Sequence, residues 1–126
     1  MDNSGKFSFK DRLKSFGYAF NGIIEMLKDQ HNFRIHLVIA IAVVVAGFWL
    51  EISTAEWLFI IFAMGFVLSA EMFNSAIEVI VDMISPGHND KAGLAKDIAA
   101  GAVLVAAITA AIIGLLIFIP YLLKVL

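Results

Sequence analysis

The sequence predicts an all-α membrane protein in which an N-terminal amphipathic surface helix precedes three transmembrane helices. The chain has 126 residues, of which 61% are hydrophobic and 16% are charged, and its mean hydropathy is +0.91. Soluble domains are only about half apolar, and a chain this short buries a limited fraction of its surface on folding. Much of the apolar surface therefore faces lipid, and the length predicts one domain over 1–126.

Three long apolar segments account for the predicted spans, since roughly 20 apolar residues cross a bilayer. They are predicted at about 35–50, 55–85 and 98–123. The predicted loop at 86–97 carries Lys91 and Lys96, and six basic residues precede the first span, whereas 51–56 carries none. Because positively charged loops remain cytoplasmic, the N-terminus and the 86–97 loop are predicted to lie inside the cell.

The segment at about 6–30 has a helical apolar stripe of its own. The stripe consists of Phe9, Leu13, Phe16, Phe20, Ile23 and Leu27. Such spacings place the side chains on one face of a helix, and a basic opposite face predicts a helix that lies in the membrane interface. The alternative is that this helix packs against its own bundle or against a neighbouring subunit.

Several function classes are excluded by charge, cysteine content and motifs. The net charge of −2 excludes a general nucleic-acid binder, which needs a basic surface. The absence of cysteine excludes a disulfide scaffold and a thiolate site. The sequence contains neither a P-loop nor a G-x-G-x-x-G motif. His31, His36 and His88 lack zinc-binding spacing, and we expect them to be interfacial or solvated.

An acidic stripe near the end of the second predicted span carries the functional signal. At about 100° per residue, Glu78 and Asp82 each lie within about 20° of Glu71 on the helix surface, and Asn74 lies beside them. Ionisable groups at membrane depth are costly and are functional candidates by default. We predict that Glu71 lies near the cytoplasmic boundary, with Glu78 about 10 Å farther out.

A stripe that passes from lipid into water suits a reaction between a lipid headgroup and a water-soluble reagent. A carboxylate at the boundary can accept a proton from a lipid hydroxyl, and an outer carboxylate can hold Mg²⁺ on phosphate oxygens. Lys96, on the predicted loop, would be a positive partner for phosphate. An oligomeric proton or cation channel without enzymatic activity is an alternative, because acidic stripes also line pores.

The run EMFNSAIEVIVD at 71–82, followed by AKD at 95–97, closely resembles the prokaryotic diacylglycerol kinase family, which includes the undecaprenol kinases. GY at 17–18 and FR at 33–34 extend the resemblance over nearly the whole chain. It implies a homotrimeric kinase of the bacterial inner membrane, with its active site on the cytoplasmic side. Such an enzyme transfers the γ-phosphate of MgATP to a lipid hydroxyl in phospholipid or polyprenol-phosphate metabolism.

The resemblance also implies roles for individual residues. Glu71 matches the general base and Asn74 a positioning residue of the active site. The implied nucleotide-binding residues are Tyr18, Gln30, Glu78, Asp82, Lys96 and Asp97. The implied Mg²⁺ ligands are Glu78 and Gln30.

Two positions depart from parts of the family pattern. Gln30 stands where well-known members have a second metal-binding glutamate, and a neutral amide should weaken metal binding. Besides the kinase and the channel, a third hypothesis is a family member without activity that only scaffolds partners. Gln30 is the sole support for this hypothesis. His36 replaces an acidic residue of the diacylglycerol-specific members, so that the run NFRIHL is more similar to the undecaprenol kinases. The acceptor, diacylglycerol or undecaprenol, stays open.

Overall fold

The computed structural model describes residues 5–126, and this part of the chain forms four α-helices. The helices are α1 (Phe9–Asp29), α2 (His31–Leu50), α3 (Thr54–Ile84) and α4 (Asp90–Val125). Helices α2, α3 and α4 are long and apolar enough to cross a membrane. The predicted all-helical class and the three membrane-spanning candidates are therefore confirmed. Contacts divide the chain into two units, one ending at Arg34 and the other beginning at Ile35.

The first unit consists mainly of α1. This helix begins at Phe9 rather than near residue 6, because Ser8 is its N-cap and accepts a hydrogen bond from the backbone of Asp11 at 3.3 Å. Four apolar stripe residues each expose more than half of their surface, namely Phe9, Leu13, Phe16 and Phe20. The position of α1 at the membrane interface stays a prediction.

Two helices begin earlier than the hydropathy predicts. Helix α2 starts at His31 instead of residue 35, and α4 starts at Asp90, inside the predicted 86–97 loop. Asn89 explains the second difference, because its side chain caps α4 by accepting from two backbone N–H groups at 3.0 and 3.1 Å. Hydropathy marks only the apolar part of a helix, whereas caps and propensity decide where it begins.

In the second unit, α3 and α4 pack along each other. Helix α3 begins with a capping box, in which Ser53 and Glu56 each bond the other's backbone. The hydroxyl of Tyr121 on α4 donates to the Glu56 carboxylate. Ile60 and Ile117 are buried beside this bond. Polar and apolar contacts thus join the start of α3 to the end of α4.

Helix α2 approaches α3 closely at Gly47. A Cβ atom at this position would lie 2.6 Å from Cη2 of Trp57, far inside normal contact distance. The ring of Trp57 also packs on Phe48, with 4.9 Å between ring centroids. The absence of a side chain at Gly47 therefore allows the tryptophan ring to lie against α2.

We predict that Gly47→Ala destabilises the protein by about 1–3 kcal/mol, the usual cost of overpacking a tight contact. The measurement is the unfolding midpoint of the purified protein in detergent. Gly65→Ala is the matched control, because a Cβ there meets no atom within 4 Å. The control should be unchanged or stabilised by about 0.5–1 kcal/mol through helix propensity. Equal midpoints for the two variants would contradict the close approach.

Candidate active site

The predicted acidic stripe lies on the continuous helix α3, so that Glu71, Glu78 and Asp82 share one face. Exposure rises along the stripe towards the end of the helix. Glu71 is only 4% exposed, Glu78 is half-buried, and the side chain of Asp82 is 63% exposed. Each acid therefore meets a different solvent environment.

The buried Glu71 has its closest polar neighbour on α2. Nδ1 of His36 lies 2.8 Å from Oε1 of Glu71, in a close polar contact that is not aligned as an ideal hydrogen bond. Within residues 5–126, the other oxygen, Oε2, is buried without a hydrogen-bond partner. A buried oxygen in this state is a ready acceptor for a hydroxyl group.

Asn74 lies about one turn after Glu71 on α3 and contacts Glu78, the next acid of the stripe. Its amide nitrogen donates to Oε1 of Glu78 at 3.3 Å. Its own oxygen is buried, and the described part of the chain offers it no hydrogen-bond partner. Asn74 and Glu71 thus both present a buried oxygen that is free to accept a hydrogen bond.

Lys96 and Asp97, which sequence analysis assigned to a loop, lie on the first turns of α4. Nζ of Lys96 is 2.5 Å from Oδ1 of Asp82, and this pair joins the two helices at their polar ends. Asp97 is exposed next to it. The structure therefore brings the predicted cation to the acidic stripe, paired with its outermost member.

An apolar groove of about 450 Å³ lies between α2, α3 and α4. Its lining includes His36, Ala63, Val67, Ala110, Gly114 and Phe118. Among residues 5–126, His36 is the only ionisable residue that lines it, and the same side chain contacts Glu71. The groove thus has a nearly continuous hydrocarbon wall with one polar end, next to the buried carboxylate.

The other two predicted site residues belong to the first unit. Tyr18 is on α1 and its side chain is largely exposed. Gln30 is half-buried and caps the C-terminal end of α1. Its backbone N–H donates to the carbonyl of Met26 at 3.0 Å.

The donor chemistry fits a magnesium ion that is held together with phosphate. Across the described ranges, no group of three or more His, Cys, Asp or Glu side chains is close enough to hold a metal. Mg²⁺ is commonly held by one or two carboxylates plus substrate phosphates. Glu78 is half-buried and has one oxygen bonded to Asn74, so its other oxygen can serve as such a ligand.

Sequence reasoning missed His36, which we expected to be interfacial or solvated. The structure places it against Glu71, from which it is 35 residues distant in the chain. A signal for this pairing was present, since His36 is the only ionisable side chain in the apolar run 35–50. A buried acid on one span and a lone donor on the next are natural partners.

Comparison with known proteins identifies the family. The family model described as prokaryotic diacylglycerol kinase matches residues 17–118. The chain is 47% identical over 108 residues to undecaprenol kinase from Bacillus subtilis (strain 168), covering 86% of this chain and 88% of that protein. It is 33% identical over 100 residues to diacylglycerol kinase from Escherichia coli (strain K12), covering 79% and 82% of the two chains. The chain therefore belongs to the prokaryotic diacylglycerol kinase family and is an enzyme, a lipid kinase of the membrane.

Proposed function

We propose that this kinase transfers the γ-phosphate of MgATP to the hydroxyl group of undecaprenol at the cytoplasmic face of a bacterial membrane. The observation that carries the proposal is Glu71, a buried carboxylate with one oxygen against His36 and the other unpartnered. The apolar groove begins beside this pair. A long hydrocarbon alcohol that lies in the groove would present its hydroxyl to the free oxygen.

The proposed reaction is an in-line phosphoryl transfer. The hydroxyl oxygen of the lipid forms a bond to the γ-phosphorus of ATP, and its proton passes to Oε2 of Glu71. The bond from the γ-phosphorus to the oxygen that bridges it to the β-phosphate breaks, and ADP leaves. Such reactions depend on positioning and charge stabilisation more than on covalent chemistry, which suits a site that has a base and few other reactive groups.

The outer part of the stripe is assigned to the nucleotide. Lys96 is the cation that can exchange its contact with Asp82 for a phosphate oxygen. Glu78 would hold Mg²⁺, with Gln30 as the second predicted ligand, and the ion would supply neutralising charge on the phosphates. Tyr18 and Asp97 remain predicted nucleotide contacts, and Asn74 is predicted to position the reacting groups through its unpartnered oxygen.

The choice of undecaprenol over diacylglycerol has two supports. The undecaprenol kinase relative is 47% identical, and the match covers 88% of its length, whereas the Escherichia coli diacylglycerol kinase is 33% identical with 82% of its length covered. The groove is also lined by aliphatic and small side chains apart from His36, Met64 and Phe118. An apolar lining of this kind fits a polyprenyl chain with a terminal hydroxyl.

A homotrimer and a cytoplasmic active site complete the proposal. Basic residues cluster before α2 and at 91–96, and such clusters remain on the cytoplasmic side. Lys96 of the second cluster pairs with Asp82 near the end of α3. That side is also where ATP is available. Three spans have little room to enclose two substrates, which favours an assembly of several copies.

We predict that Glu71→Gln lowers kcat by about 10²–10⁴-fold, the usual contribution of a general base, while nucleotide binding is retained. Turnover and nucleotide affinity are measured on the purified protein in lipid nanodiscs. Glu51→Gln is the control, since Glu51 is exposed at the far end of the bundle. Wild-type turnover in Glu71→Gln would remove the proposed base.

We predict that undecaprenol is phosphorylated faster than diacylglycerol when both compete in vesicles supplied with γ-labelled ATP and Mg²⁺. Labelled undecaprenyl phosphate is the expected main product, and omission of Mg²⁺ should abolish it. A larger yield of labelled phosphatidic acid would reverse the acceptor assignment. Ion flux through the vesicles without consumption of ATP would support the channel instead.

We predict that the polar end of α3 and α4 faces the cytoplasm. The chain has no cysteine, so single-cysteine variants can be labelled with an impermeant maleimide. His88→Cys, at a side chain that is 93% exposed, should react in inverted vesicles and be protected in right-side-out vesicles. Thr54→Cys, at the opposite end of α3, should show the reverse pattern. Exchange of the two patterns would place the site on the outer face.

A further inference from the structure

We infer that His36 is a positioning residue of the phosphoryl-transfer site, which acts by holding Oε1 of Glu71 so that Oε2 alone faces the acceptor hydroxyl. This inference rests on the proposed function, because it assigns a task to the general base named there. The observation that starts it is the 2.8 Å contact between Nδ1 of His36 and Oε1 of Glu71.

Glu71 needs a polar partner because its carboxyl group is buried among apolar side chains. Its side chain is 5% exposed, and a buried carboxylate without a partner is strongly destabilised. In the part of the chain that the structure describes, His36 is the cationic or donor side chain in contact with it. The histidine is thus the polar group that offsets the burial of the Glu71 carboxyl group.

The contact requires a particular tautomer of His36, with the ring hydrogen on the nitrogen that faces Glu71. An ionised carboxylate only accepts hydrogen bonds, so the ring hydrogen of His36 must be on Nδ1 to face Glu71. The distance of 2.8 Å is short enough for this hydrogen bond, but the ring must rotate to align the N–H with Oε1. The contact then distinguishes the two oxygens, because one is occupied by the imidazole while Oε2 remains buried and unpartnered.

His36 also lies at the boundary between Glu71 and the apolar groove. The same imidazole lines the apolar groove, and it is 26% exposed. A hydroxyl at the polar end of this groove therefore meets the histidine, and the Glu71 carboxylate lies 2.8 Å from the same imidazole. A carboxylate free to rotate would offer both oxygens in several orientations, and a misplaced catalytic group loses rate even when it is present.

The test uses two substitutions with opposite expectations. In His36→Leu the donor is lost, and we expect kcat to fall by about 10²-fold with KM for ATP unchanged. In His36→Asn the amide nitrogen occupies nearly the place of Nδ1, so we expect most of the turnover to be retained. His88→Leu, at an exposed side chain that pairs with Asp90, is the control for removal of a histidine.

A double-substitution cycle separates positioning from an independent role. If His36 acts through Glu71, His36→Leu should cause no further loss in the Glu71→Gln background. A further loss there, an unchanged kcat in His36→Leu, or an equal fall in His36→Asn and His36→Leu would each overturn the inference. Should His36→Leu fail to fold, His36→Gln, whose amide nitrogen is one carbon farther out, replaces it as the loss variant.

The same measurements distinguish failure of this inference from failure of the proposed function. Wild-type turnover in Glu71→Gln refutes the base itself, whatever His36 does. A large loss in Glu71→Gln together with normal turnover in His36→Leu retains the base and refutes the positioning role. Unfolding midpoints of all variants are compared, so that a fall in kcat is attributed to His36 only when stability is unchanged.

Discussion

The structure depends on the burial of one carboxylate in an apolar helix. Glu71 is 4% exposed on a span of mostly hydrocarbon side chains, and such a group is tolerated only with a donor nearby. His36 supplies it from α2. This contact lies where α2 meets α3, and the apolar groove lies between these helices and α4.

Each acid of the stripe on α3 has a different kind of partner. Glu71 contacts an imidazole, Glu78 accepts from the amide of Asn74, and Asp82 pairs with the ammonium of Lys96. Exposure increases in the same order. The innermost carboxylate is therefore suited to proton transfer with a lipid, and the outer ones to cations and phosphate.

The opposite end of the second unit is held by contacts of a different kind. Trp57 packs against α2 at Gly47, while Tyr121 bonds Glu56 at the start of α3. These contacts are distant from the acidic stripe along α3. The helices are thus joined tightly at this end, where Ile60 and Phe118 also line the groove, and the groove reaches from there to His36. The polar side chains of the stripe lie towards the other end of α3.

The sequence by itself determined the helical class, the three apolar spans and the shared face of Glu71, Glu78 and Asp82, because helix period and lipid exposure are local properties. It placed Lys96 on a loop, since hydropathy does not register the Asn89 cap. The tertiary structure alone decided which partner each carboxylate meets. His36 and Glu71 are 35 residues apart, and only the packing of α2 on α3 brings a lone histidine against a buried acid.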